Sequence, residues 1–321
     1  MRRPPDFFLI GAPKAGTSAL HAALTQHPDL YLSPVKEPKY YLCGDSPPPA
    51  YKGPGDAHSN QEWIWQRERY LALFEDAPAG TLRGESTPFY LYHRDARRRI
   101  AVDRPDARLI AVLRDPVDRA YSNWMHLRMD GLEPRGDIVE AIRREPERVD
   151  AGWAPFWHYQ RLGMYGRQVA DLFDHFPREQ VLLLRYRQLV EQPELTLGRV
   201  CDFLGVASPP SPQVPRDNSR RFVRDSPRTR ALGSVIRTGA SVGRFFPPEV
   251  WRRISRPLIE QLQRGGDEAR PKLTAEQRAI LVEPHLPDIE LLESLTGESF
   301  EQWKGYRDGG SYGSRRTAAE A

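Results

Sequence analysis

Asp6-Phe7-Phe8-Leu9-Ile10-Gly11-Ala12-Pro13-Lys14-Ala15-Gly16-Thr17-Ser18 is the stretch on which the fold turns. Its first part, Asp6 to Gly11, holds the unbroken apolar run Phe7 to Ile10 and reads as a buried strand. Thr17 to Gln26 carries apolar residues at Ala19, Leu20, Ala23 and Leu24, the spacing of one helical face. Between them lies a tight turn, Gly11 to Gly16. A strand, a glycine turn and a helix in that order cradle phosphate, because turn amides and the first helical N–H groups converge on one anion. The Walker A pattern places a lysine directly after the second glycine. Here Gly11 and Gly16 keep that spacing, but Thr17 and Ser18 follow and the lysine sits inside the turn as Lys14. An ordinary ATP or GTP hydrolase is disfavoured. In the competing reading the glycines only permit a turn and Thr17 only caps a helix.

Working outward, strands are expected near Leu30 to Leu32, at Thr81 to Glu85, at Arg108 to Leu113 and at Val181 to Tyr186. Helices are expected at Trp63 to Phe74, at Val117 to Arg128 after Pro116, and at Leu195 to Leu204, closed by Gly205. Strands alternating with helices give an α/β fold: a P-loop-like single domain with a central parallel sheet flanked by helices. Gly44 to Asn60, rich in Pro and Gly, reads as a long surface loop. The C-terminal third is helical by pattern, with a capping box at Thr274 to Gln277. The domain is expected to span 1–306, with 307–321 a disordered tail.

The 321 residues, 39% hydrophobic and 28% charged, exclude wholesale disorder, collagen and a disulfide miniprotein. The longest apolar runs fall far short of the ~20 residues of a membrane helix, so no membrane span and a cytoplasmic location are expected. Cys43 and Cys201 form no paired motif, and no metal site is suggested. A net charge of +4 comes from 47 basic and 43 acidic residues that are interspersed, which fits a small polyanion as well as nucleic acid. Arg supplies 41 of those bases and Lys only 6, so each lysine draws interest.

A second constellation is Arg114-Asp115-Pro116-Val117-Asp118-Arg119-Ala120-Tyr121-Ser122. It sets an arginine at a strand's carboxyl end and a serine two turns into the next helix, where ligands of open α/β sheets bind. Read blandly, Arg114 pairs with Asp115 or Asp118. With the first turn beside it, the pair implies a nucleotide carrying two phosphate sites.

Together these residues resemble the PAPS-dependent sulfotransferases, PAPS being 3′-phosphoadenosine 5′-phosphosulfate. Gly11 to Ser18 is similar to that family's 5′-phosphosulfate loop and Arg114 to Ser122 to its 3′-phosphate motif. The likeness extends to Gly84-Glu85-Ser86-Thr87-Pro88, to Tyr186-Arg187-Gln188-Leu189 and to Phe203-Leu204-Gly205, covering roughly residues 6–304. Within the family the chain looks closest to the heparan sulfate branch and its bacterial relatives, which place a catalytic Glu where Glu37-Pro38-Lys39-Tyr40-Tyr41 stands.

The resemblance implies in-line transfer from PAPS to an acceptor hydroxyl of a glycan, glycolipid or small metabolite, leaving adenosine 3′,5′-bisphosphate. Glu37 would be the base and Lys14 would neutralise the leaving oxygen. The Ala15 and Gly16 amides and the Thr17 and Ser18 hydroxyls would hold the 5′-phosphate, Arg114 and Ser122 the 3′-phosphate, with Tyr186 near the adenine. Lys39, Glu85 and Ser86 are weaker substrate contacts by family position. Aromatic residues including Tyr40, Tyr41, Trp63, Trp65, Phe89, Tyr90, Tyr92, Trp153, Phe156, Trp157 and Tyr159 gather on the expected acceptor side. The loops 44–60 and 130–157 would form its lid and walls, and Asn218 to Arg230 would close over the nucleotide. Rival readings are a P-loop kinase acting on ATP, a non-catalytic nucleotide sensor and a nucleic-acid-binding protein. The oligomeric state stays open.

Overall fold

The computed structural model describes residues 3–56, 59, 62–208, 226–242, 248–263 and 271–305. Five strands form the sheet: β1 (Phe7–Gly11), β2 (Leu30–Leu32), β3 (Leu82–Ser86), β4 (Arg108–Leu113) and β5 (Val181–Arg185). Their order is β2-β3-β1-β4-β5 and every pairing is parallel. The apolar run of β1 is buried throughout because both its edges are paired and both its faces covered. Leu9 stands opposite Ser86 on one side and Ile110 on the other, so the carboxyl ends of β3, β1 and β4 lie side by side. The Phe7 ring lies over Gly84, where an added Cβ would come 2.2 Å from Phe7 Cζ. That close approach requires the glycine.

The helix α1 (Thr17–Leu24) leaves the first turn, and the helix Pro116–Met129 leaves β4. Asp115 caps the latter, its Oδ1 accepting from the Val117 and Asp118 amides at 2.9 and 3.0 Å, and Pro116 opens it. Gly205 closes the helix Pro193–Leu204 in the left-handed region at φ 67°. The capping box at Thr274 and Gln277 is formed in both directions. The helix expected at Trp63 to Phe74 is shorter, Arg67–Ala72. The Asp45 carboxylate accepts from the Arg67 amide at 2.7 Å and fixes its start, while Ile64 N–H donates to the Pro38 carbonyl and holds the preceding residues apart.

The expected acceptor walls are more ordered than loops. Residues 130–157 contain the helices Ile138–Arg143 and Glu145–Asp150. Buried Asp56 accepts from the amides of Gly53 and Ala154 at 2.9 and 2.8 Å and from Trp157 Nε1 at 3.1 Å, which pins the two walls together. Glu133, also buried, takes Arg148 at 2.8 Å and the Tyr159 hydroxyl at 2.7 Å. Most of the aromatic residues on this side are therefore core. Tyr40, Tyr41, Trp63, Tyr90, Trp157 and Tyr159 are buried, with Tyr40 stacked on Tyr70 at 4.3 Å; Trp65, Phe89, Tyr92, Trp153 and Phe156 keep part of their surface exposed. Of the expected closing segment, residues 218–225 lie outside the described residues, as does the expected tail 307–321.

Candidate active site

The first turn is shaped by two left-handed residues, Lys14 at φ 68° and Gly16 at φ 87°. The left-handed region costs a residue with a side chain ~1 kcal/mol or more, so Lys14 holds it only under constraint. At Gly16 an added Cβ would stand 2.9 Å from Tyr186 Cδ2, which leaves room for nothing larger. The Ala15 amide closes the turn onto the Ala12 carbonyl at 3.1 Å. Ala15 therefore shapes the cradle while its own N–H is already engaged, contrary to the donor role expected of it. Beyond it, the amides of Gly16, Thr17, Ser18 and Ala19 have no acceptor among the described residues, and no side chain caps α1. Four adjacent donors at a helix start form an anion site. Thr17 is buried and Ser18 exposed.

Arg114 reaches this turn from the end of β4. Its Nη1 donates to the Lys14 carbonyl at 3.0 Å, and its guanidinium lies 4.6 Å from the centre of the Tyr186 ring. The bland reading of Arg114 as a partner of Asp115 or Asp118 fails, because both carboxylates are taken by Arg278, Asp118 Oδ1 at 2.9 Å and Asp115 through Oδ2. Burial lifts the Asp115 carboxyl to about 6, with Asp118 adding to the rise and Arg278 opposing it. Arg114 thus meets no carboxylate among the described residues. Ser122 stands two turns along the helix that follows, part-exposed. Nothing local in the sequence marked Arg278; only the third dimension brings it to the motif.

The other half of the site stands at the carboxyl end of β3. Glu37 and Lys39 are both left-handed, at φ 62° and 65°. The Glu37 amide donates to the Ser86 carbonyl at 2.9 Å and its Oε1 accepts from Lys36 Nζ at 2.8 Å, the carboxylate remaining partly exposed. The Lys39 amide donates to Thr87 Oγ1 at 3.3 Å, and Lys39 Nζ sits 5.5 Å over the Trp63 ring and 3.4 Å from Ser59 Oγ. Burial lowers the basicity of its amine, against the pull of Glu37.

Glu85 and Ser86 do not face an acceptor, because both side chains are wholly buried. The Glu85 carboxyl accepts from the Tyr70 and Thr87 hydroxyls, the latter at 2.7 Å, and burial raises it to about 7. These two residues support Glu37 and Lys39 from behind. Behind Ser86 comes His21, which the sequence reading passed over. Its Nδ1 lies 2.8 Å from Ser86 Oγ, and burial, then Lys36, lower it to about 4, with Glu37 opposing. The available signal was its place four residues after Thr17, one turn along the phosphate-facing helix.

Residues 5–210 match the sulfotransferase family. The chain belongs to that family. It is 30% identical over 207 residues to human heparan sulfate glucosamine 3-O-sulfotransferase 3B1, covering 63% of this chain and 46% of that protein. Mouse heparan sulfate glucosamine 3-O-sulfotransferase 6 is 28% identical over 264 residues, 82% of this chain and 68% of that one. The chain spans less than half the length of the first curated relatives it matches. Among solved structures, a sulfotransferase from Alicyclobacillus acidocaldarius superposes with a TM-score of 0.73 at 28% identity, over 94% of this chain and 99% of that one. The sulfotransferase fold is thus the P-loop-like single sheet expected. Among the described residues no helix is long and apolar enough to cross a membrane.

Proposed function

We propose that the chain moves the sulfuryl group of PAPS to an acceptor hydroxyl, with Glu37 as the base. The observation that carries this reading is the run of four unpartnered amides at Gly16–Ala19, faced by an Arg114 that Arg278 has relieved of its neighbouring carboxylates. Two separate anion-binding features on one edge fit a nucleotide with a 5′-phosphosulfate and a 3′-phosphate.

PAPS, when bound, supplies the sulfuryl group and departs as adenosine 3′,5′-bisphosphate. The amides of Gly16 to Ala19 and the Thr17 and Ser18 hydroxyls hold the 5′-phosphate. Arg114 and Ser122 take the 3′-phosphate, and Tyr186 supports both by covering Gly16 and carrying the Arg114 guanidinium on its ring. Lys14 offsets charge gathering on the leaving oxygen, and Glu37 accepts the acceptor's proton while Lys36 restrains its carboxylate. Positioning and electrostatics do most of this work. Lys39, beside Trp63, is offered as an acceptor contact.

A glycan hydroxyl is the favoured acceptor, in keeping with the names of the relatives, with a glycolipid or small metabolite next. Unpaired Cys43 and Cys201 fit the expected cytoplasmic setting.

The test is transfer from radiolabelled PAPS to a panel of glycans, glycolipids and small alcohols by wild type and Glu37→Gln. Loss of about 10²-fold or more in kcat with unchanged binding of adenosine bisphosphate is expected. Full-rate transfer by the variant would remove Glu37 from the mechanism. Tight nucleotide binding without transfer to any acceptor would favour a sensor.

A further inference from the structure

We propose that His21 is a positioning residue: through Ser86 it fixes the loop carrying Glu37 against the phosphate-binding helix. The inference rests on the reading of Glu37 as the base and extends it to a residue that touches neither nucleotide nor acceptor.

The two halves of the site belong to different elements. The anion-binding amides open α1, whereas Glu37 lies on the loop after β2 and hangs by its amide from the Ser86 carbonyl, 2.9 Å away. The side-chain bond between His21 Nδ1 and Ser86 Oγ, 2.8 Å, joins them. His21 lies one turn beyond Thr17, and Ser86 ends β3, opposite Leu9 of β1. A shift of α1 is therefore felt by the backbone atom that holds Glu37.

Direction can be assigned to this bond. The Ser86 side chain is wholly buried, and its hydroxyl has no other acceptor among the described residues. A buried hydroxyl left without an acceptor is costly, so Ser86 donates to Nδ1 and the ring proton resides on Nε2. That arrangement needs a neutral imidazole, which burial and neighbouring Lys36 both favour. Glu37 needs the anchor because it holds φ 62°, a region that a residue with a side chain keeps only when held there. With His21 gone, Ser86 loses its acceptor and the Glu37 loop one of its restraints.

The experiment compares wild type, His21→Leu, His21→Asn, Ser86→Ala and the Leu/Ala double variant. The Asn carboxamide oxygen can accept from Ser86; Leu cannot. Titration with adenosine 3′,5′-bisphosphate serves as the control for folding and for the phosphate turn, and should stay within about twofold in every variant. Hydrogen exchange of the Glu37 amide should quicken about tenfold in His21→Leu and in Ser86→Ala, no further in the double variant, and return toward wild type in His21→Asn. With PAPS and an acceptor of the panel of glycans, glycolipids and small alcohols that the wild type sulfates, kcat should fall by a similar factor while KM for PAPS is unchanged. Unaltered Glu37 exchange in His21→Leu would overturn the proposal, as would equal losses for Leu and Asn. Quickened exchange in a protein whose wild type turns over no PAPS would support the link and refute the transfer reading instead.

Discussion

Replacing Glu85 by glutamine tests how the floor of the site is built. Its carboxyl group is wholly buried and accepts from the hydroxyls of Tyr70 and Thr87; burial lifts it from the ordinary 4.5 to about 7. The folded state thus keeps a proton that the unfolded chain releases. The stability this contributes is complete below about pH 4.5, declines as pH rises toward about 7 and is gone above it. The gap amounts to about 3 kcal/mol. Glutamine has the same shape and no charge, but its amide carries two N–H donors where the protonated carboxyl carries one, at a pH-independent cost of ~1 kcal/mol. Glu85→Gln should therefore be less stable than wild type by about 1 kcal/mol at pH 4.5 and more stable by about 2 kcal/mol at pH 8. Urea denaturation at intervals between those values measures the difference directly. A difference that stays constant across the series would show that Glu85 is not held protonated by burial.

Gly16→Ala forces a left-handed alanine whose Cβ meets the Tyr186 ring at 2.9 Å, so folding stability should fall by about 1–2 kcal/mol and bisphosphate affinity by about tenfold, read from thermal melts and calorimetry. Arg278→Ala releases the Asp115 and Asp118 carboxylates, which then compete for Arg114; affinity for adenosine bisphosphate should fall about tenfold, and Arg278→Lys should recover part of it.

What the sequence disclosed was local. The apolar run Phe7 to Ile10, the glycine turn, the Asp115-Pro116 helix start, the Gly205 stop and the Thr274 to Gln277 box are each written in a few adjacent residues, and each formed where expected. What stayed hidden depends on distant partners. Arg278 meets Asp115 from 163 residues away, and no spacing rule announces it. Asp45 decides where the helix at Arg67 begins, so the apolar pattern before it overreached. Aromatic residues crowded near a site look alike in sequence whether they line a cleft or fill a core; Trp157 and Tyr159 proved to be core because Asp56 and Glu133 bind them from inside. Glu85 and Ser86 sit at the right end of β3, yet alternation puts them on opposite faces of a sheet covered on both, where Tyr70 meets Glu85, His21 meets Ser86, and both are buried. His21 stands one turn after Thr17, which puts it near the phosphate turn, but only the placement of Ser86 shows what it holds.

Calorimetric titration with adenosine 3′,5′-bisphosphate, alongside ATP and a short DNA duplex at two salt concentrations, tests the two-anion site most directly. Selective binding of the bisphosphate in the micromolar range, weakened about tenfold or more in Arg114→Ala, is the expected result. Well-folded protein that binds ATP equally well, or binds DNA with a steep salt dependence and ignores the bisphosphate, would contradict the assignment of the turn and Arg114 to a 3′-phosphorylated nucleotide.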